Sequence, residues 1–177
     1  NYECYKGLYS AFNSMNMFEI AHSLARQFGP EQWTLYKGMH LFSFADNHDV
    51  TRLYSILQDK KQINALYAVL FCMPGIPCIY YGSEWGAEGK KEHGSDDSLR
   101  PCFEAPQCNA LTEWIATCAK AHKESKALCY GDFKSLMLTN KQFIFERSFE
   151  GQRVLVAVNA DGEAYDAHFN ANAGRAR

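Results

Sequence analysis

The sequence lacks an excess of either charge: 18 Lys and Arg stand against 20 Asp and Glu, a formal net charge of -2 over 177 residues. No stretch gathers Lys and Arg into a stripe that would follow a phosphate backbone, which argues against nucleic acid as a partner. A long apolar run is also missing. The longest, Ala65 to Met73 continuing through Gly75, Ile76 and Pro77 to Tyr81, is broken by Pro74 and Pro77 and falls short of the ~20 residues of a membrane span. A soluble protein without a membrane segment is expected. Seven cysteines, at positions 4, 72, 78, 102, 108, 118 and 129, form no CxxC pair and no zinc spacing, and their number is odd. Free thiols in a reducing, cytoplasmic compartment are the expectation, with Cys72 and Cys78 as small core residues. The chain opens on Asn1-Tyr2-Glu3-Cys4 with neither an initiator Met nor a basic, apolar leader, as a piece of a larger chain would.

What is present is apolar and aromatic surface: 47% of residues are hydrophobic and 14% aromatic, enough to bury a core in one domain or two small ones. Met17, Phe18, Ile20, Ala21, Leu24, Ala25 and Phe28 recur at three- and four-residue spacing, which predicts an amphipathic helix over Met15 to Phe28, ended at Gly29-Pro30. Tyr5 to Phe12 also reads as helix. His40 to Ala45 is a short apolar run, expected to be a buried strand, that ends in the polar cluster Asp46-Asn47-His48-Asp49. Lys61 to Met73 is apolar nearly all round and reads as a helix wedged between layers, stopped by Pro74-Gly75. Ile76 to Tyr81 is a second buried strand, Ser83 to Pro106 a long polar loop, and Ala110 to Ala127 a further helix. This alternation of strand and helix is that of a parallel sheet.

After Leu128 the period changes from 3.6 to 2. Lys134 to Leu138, Phe143 to Phe149, Val154 to Asn159 and Tyr165 to Phe169 predict four antiparallel strands, with turns at Asn140, Glu150-Gly151 and Asp161-Gly162, and Asn170 to Arg177 forms a polar tail. Four strands are too few for an independent β-sandwich. The expected organisation is therefore α/β over residues 1–128, followed by an incomplete antiparallel β-domain over 129–177.

Two segments carry a resemblance. Phe44-Ala45-Asp46-Asn47-His48-Asp49 is similar to the motif that ends the seventh barrel strand in the α-amylase family of glycoside hydrolases, and Gly75-Ile76-Pro77-Cys78-Ile79-Tyr80-Tyr81-Gly82-Ser83-Glu84 resembles that family's eighth-strand motif, one crossover helix further on. Asp96-Asp97-Ser98-Leu99-Arg100-Pro101 is similar to a loop of neopullulanase-like members, with Asp97 where the family has Pro. The resemblance implies a partial (β/α)8 TIM barrel, its strands 7 and 8 with flanking helices, followed by part of the C-terminal β-domain.

It also implies chemistry. Cleavage of an α-glucosidic bond passes through an oxocarbenium-like state, and a retaining enzyme sets an acid and a nucleophilic carboxylate about 5–5.5 Å apart around it. The family adds a third carboxylate that grips hydroxyls 2 and 3 of the sugar being cleaved. Asp49 matches that third group, a transition-state stabiliser, and His48 the histidine that hydrogen-bonds the same ring. Asn47 belongs to the same substrate-binding motif, and Asp96 with Arg100 matches a pair that binds glucose further toward the non-reducing end. Gly75, Pro77, Tyr81, Gly82 and Glu84 match scaffold positions, Glu84 fixing the loop above the eighth strand. Trp33 and Trp85 are each able to stack on a sugar face, packing being the preferred reading.

The family's nucleophile lies in Gly-x-Arg-x-Asp on the fourth strand and its acid/base Glu on the fifth, and the sequence has neither motif. A whole barrel takes about 250 residues, so the chain alone is expected to be inactive. Its expected partners are an α-glucan or malto-oligosaccharide, the N-terminal part of the barrel, and a second copy of itself through open strand edges. The family's usual calcium ligands lie upstream, so no metal and no cofactor are expected. Three alternatives remain at this point: transglycosylation or α-1,6 specificity within the same family, a non-catalytic barrel relative acting as a structural subunit, and an unrelated metal-dependent barrel using His48, Asp49 and His93.

Overall fold

The computed structural model describes residues 1–171. In chain order its first part consists of α1 (Tyr2–Asn13), α2 (Phe18–Phe28), β1 (Phe42–Phe44), α3 (Leu53–Ile56), α4 (Ile63–Cys72) and β2 (Ile76–Cys78). β1 and β2 lie parallel, Phe42 opposite Ile76 and Phe44 opposite Cys78. Parallel neighbours need a crossover, which α3 and α4 supply. The strands are shorter than their apolar runs and less buried than expected: Phe42 is 64% and Ile76 44% exposed. No described element covers those two side chains.

Local chemistry sets the helix ends. The Asn1 side chain caps α1 by accepting from the Cys4 N–H at 3.2 Å, and the buried face of α1, with Cys4, Leu8, Ala11 and Phe12, packs on Ile20, Ala21 and Leu24 of α2. Each fully buried leucine or isoleucine here contributes about 1.5–3 kcal/mol. α2 starts at Phe18 rather than Met15, because Met15 turns the chain with φ +51 and the Met17 N–H donates to Asn140 O at 2.7 Å. α4, apolar on every side, touches α1, β2 and two later elements, α5 (Ala110–Glu124) and a strand β5 (Gln152–Asn159). The helix expected to run to Ala127 breaks at Ser125. Its hydroxyl accepts from Leu128 N–H to cap a separate α6 (Lys126–Tyr130), and Gln152 Oε1 takes the Ala127 N–H at 2.8 Å.

The period-two region folds as β3 (Asp132–Leu138), β4 (Gln142–Phe149) and β5, antiparallel in that order. Phe143 faces Val158 and Phe145 faces Val156 across β4 and β5. The fourth strand expected over Tyr165–Phe169 does not form. Beyond Asn159 the chain turns at Asp161, held by Lys141 Nζ at 2.9 Å and by Asn159 Oδ1 on the Asp161 N–H. It then runs exposed, with Tyr165 at 48% and Phe169 at 37%. Alternation makes a strand only where a partner edge and a facing layer receive it, and no described element offers either. Most of the expected polar tail, from residue 172 on, lies outside the described residues.

One core joins the expected units. Phe133, Phe143, Phe145, Val156 and Val158 belong to the same buried cluster as Leu8, Leu24, Leu66 and Ile115. Arg147, 1% exposed, reaches across it, donating to Cys72 O and Gly131 O at 2.8 Å each. All seven cysteines are unpaired. Cys4 and Cys118 are the buried ones, whereas Cys72 and Cys78 are only half-buried, a correction to their expected core placement.

Candidate active site at the carboxyl ends of the parallel strands

Because β1 and β2 are parallel and in register, the segments that follow them, Asp46 to Asp49 and Tyr80 to Glu84, emerge at the same edge. Polar groups collect there. The Asn47 side chain accepts from the Asp49 N–H at 2.9 Å, a local turn that aims the next side chains outward. Asp49 is half-exposed and its two oxygens have different neighbours. Oδ1 lies 3.2 Å from Arg100 Nη2, while Oδ2 lies 3.3 Å from His48 Nε2 and 3.5 Å from the Tyr2 hydroxyl. Arg100 also donates to Asp96 Oδ2 at 2.8 Å and, through Nε, to His48 O at 3.1 Å. Asn47 Nδ2 donates to the Tyr2 hydroxyl at 3.0 Å. The structure thus brings Asn47, His48, Asp49, Asp96 and Arg100 into one cluster. A hydrogen bond from Lys91 and, after it, the Arg100 charge hold the Asp96 carboxyl below the usual carboxylate range.

The scaffold residues lie beneath. Gly75 adopts φ +118, and a Cβ there would stand 2.6 Å from Leu41 O; Gly82 adopts φ +87, with Phe103 Cε2 2.7 Å from a Cβ. Only glycine fits either place. Pro77 sits inside β2 opposite Ser43. The Tyr81 hydroxyl donates to Pro101 O at 2.8 Å, anchoring the loop that carries Arg100. Glu84 differs from its expected role: Oε2 is buried without a hydrogen-bond partner among the described residues, and the contact with α5 is made by its backbone carbonyl, accepting from Thr112 Oγ1 at 2.9 Å. Trp85 packs edge-on against Phe103 at 5.2 Å and, with Ser55, Ser98 and Pro101, lines an open hollow of about 640 Å³, whereas Trp33 is 66% exposed.

Four contributors were not singled out from sequence. Asp46, 3% exposed, accepts from the Leu53 N–H at 2.7 Å and from Ser83 Oγ; burial pushes its carboxyl up, and those two donors pull it back. Arg52 is fully buried below the cluster. Tyr2 arrives from the first turn of α1, and Lys91 from the long loop. The one signal available was the charge of Asp46 and Arg52 on either side of a motif about to enter an apolar stretch. Among the described residues no group of three or more His, Cys, Asp or Glu side chains is arranged to hold a metal ion, so His93 does not complete one with His48 and Asp49. None of the described helices is long and apolar enough to cross a membrane.

A βαβ unit with a carboxylate, a histidine and an arginine at the carboxyl ends of its strands defines a piece of a (β/α) barrel at the edge where such barrels place their sites. The catalytic-domain model of the α-amylase family matches residues 8–134. The chain belongs to the α-amylase family. It is similar to cyclomaltodextrin glucanotransferases of Bacillus sp. (strain 38-2), 30% identical over 120 residues, and of Geobacillus stearothermophilus, 29% over 117. Each alignment covers 66% of this chain, which spans only 16% of the length of these relatives. Among solved structures, a cyclomaltodextrin glucanotransferase of three-domain ABC distribution superposes with a TM-score of 0.77 and 25% identity, covering 90% of this chain and 32% of that one. An α-amylase from Geobacillus thermoleovorans, complexed with acarbose, shares the fold at a TM-score of 0.75 and 20% identity, over 92% of this chain and 36% of that one.

Proposed function

We propose that this chain supplies the seventh and eighth strands of a barrel whose whole polypeptide cleaves α-glucosidic bonds of starch-like or malto-oligosaccharides with retention. The observation that carries the reading is the half-exposed Asp49 carboxylate at the end of β1, flanked by His48 and Arg100. A carboxylate offers about four lone-pair directions. Arg100, His48 and Tyr2 approach some of them, and two vicinal sugar hydroxyls donate to the rest. Asp49 holds the ring in its distorted, oxocarbenium-like form, where its charge is worth most. His48 and Asn47 hydrogen-bond the same ring, while Asp96 and Arg100 bind the next glucose. The nucleophile and acid/base come from other strands, so the chain alone is inactive.

The test compares maltohexaose turnover by this chain with that by a polypeptide completing its barrel. Only the complete barrel turns over, and Asp49→Asn lowers its kcat/KM by about 10²–10³-fold, the scale of one preorganised group bound to the transition state. Near-normal turnover by that variant refutes the role. A second reading, transfer of the glycosyl group to a sugar hydroxyl in place of water, is favoured by the glucanotransferases among the relatives. Incorporation of labelled glucose into longer products separates the two. The exposed Phe42 and Ile76 and the open edges of β1 and β2 also pair with the remaining strands or with a second copy; a strictly monomeric isolated chain argues against self-pairing.

A further inference from the structure

Arg52 stands three residues beyond Asp49 and has no exposed surface. A buried guanidinium is costly unless its donors are used. Here Nη1 and Nη2 donate to segments far away in sequence, whereas Nε is buried without a hydrogen-bond partner among the described residues. Nη1 donates to Tyr81 O at 2.6 Å and Ser83 Oγ at 3.3 Å, and Nη2 donates to Leu99 O at 2.9 Å. The guanidinium carbon lies 4.4 Å from the Tyr80 ring centroid and 5.1 Å from that of Tyr81, so two ring faces help fix its plane. Its backbone N–H donates to Gly89 O at 2.9 Å. Ser83 Oγ in turn donates to the buried Asp46 carboxylate, which places a countercharge one hydroxyl away.

The Leu99 carbonyl matters most. It belongs to the same peptide unit as the Arg100 nitrogen, while Arg52 belongs to the same loop as Asp49. The contacts therefore close a ring: Asp49 along the chain to Arg52, across to the Leu99–Arg100 peptide, and back through the Arg100 side chain to Asp49 at 3.2 Å. Without that link the Leu99–Arg100 peptide keeps only the buried Leu99 side chain and the Tyr81 hydroxyl on Pro101 O as anchors, and the Arg100–Asp49 pair itself is exposed, where water and salt weaken it. Lysine cannot replace it, since a single ammonium lacks the planar fork that meets carbonyls in two directions.

We propose that Arg52 is a positioning residue: it fixes the Leu99–Arg100 peptide against the Asp49 loop and so sets the Arg100–Asp49 contact before a sugar arrives. The consequence for turnover rests on Asp49 being the sugar-binding carboxylate. Arg52→Met and Arg52→Lys are compared with Arg147→Met, which removes a buried arginine far from the site, all in the polypeptide with its complete barrel and well below each melting temperature. Both Arg52 variants lose about 10²-fold in kcat/KM on maltohexaose, the scale of a misplaced group, whereas Arg147→Met stays near wild type. Hydrogen exchange at the Arg100 Nε–H, which donates to His48 O, accelerates about tenfold in the Arg52 variants and is unchanged in Arg147→Met. Ser83→Ala, which removes one partner of Nη1 and leaves the guanidinium in place, shifts both readouts in the same direction by less and decides the matter if neither Arg52 variant folds. A folded Arg52→Lys, or Ser83→Ala in its place, with wild-type kcat/KM and unchanged Arg100 exchange overturns the proposal. If the wild type turns over no glucan yet the Arg52 variants still release Arg100, the positioning role stands and the functional reading falls.

Discussion

Among the described residues two arginines are almost wholly buried, Arg52 under the polar cluster and Arg147 in β4, and they use their charge differently. Arg147 donates to Cys72 O, at the last residue of α4, and to Gly131 O, just after α6, and so locks the meander onto the helices. Burial lowers its pKa to about 10. Arg52 donates to loop carbonyls at the strand ends and has Asp46 one hydroxyl away as countercharge. The contrast teaches that a buried charge follows the backbone it satisfies: one holds elements together, the other holds loops whose side chains face solvent.

The largest expected effect sharpens that contrast. Arg52→Met leaves the Tyr81 and Leu99 carbonyls without a donor and takes the countercharge from Asp46, which keeps its two donors, lowering unfolding free energy by about 3–5 kcal/mol in denaturant titration. Gly75→Ala costs about 3 kcal/mol, the upper range for a strained backbone, because its Cβ meets the Leu41 carbonyl. Arg147→Met leaves two carbonyls without donors but also relieves a desolvated charge, for about 1–3 kcal/mol; if it destabilises more than Arg52→Met, the contrast breaks. Gly151→Ala, at φ +85 with nothing within 4 Å of the added Cβ, costs about 1 kcal/mol.

The smallest effect is a pH slope on the meander side. His122, whose Nδ1 lies 2.6 Å from Phe71 O, has its pKa lowered chiefly by burial and further by the Arg147 charge, against the Phe71 carbonyl. Below the ordinary histidine value of about 6.5 the unfolded chain takes up a proton before the folded one does. Stability is therefore full above that value and declines as pH falls toward the lowered one. Thermal melts between neutral and mildly acidic pH show this decline, and His122→Gln flattens it.

Much of the fold was legible because its signals are local. Gly29-Pro30 and Pro74-Gly75 stop helices wherever the chain goes, and the segments Asp46 to Asp49 and Gly75 to Glu84 placed two strand ends and the site cluster together. What was not legible depends on partners. Tyr165 to Phe169 alternates as a strand does, but no edge receives it. The helical spacing through Ser125 gives no sign that Gln152 waits to accept the Ala127 N–H. Arg52 has no reading from sequence until Tyr80, Tyr81 and Leu99 are seen to enclose it, and Tyr2 precedes the helix expected over Tyr5 to Phe12, with nothing in the sequence to mark it as a neighbour of Asp49.

The most direct test is to separate kcat from KM for Asp49→Asn in the complete barrel acting on a malto-oligosaccharide. A carboxylate that grips the distorted sugar lowers kcat by about 10²–10³-fold and leaves KM nearly unchanged, the signature of an interaction made chiefly in the transition state. A kcat close to wild type, with or without a change in KM, contradicts the account.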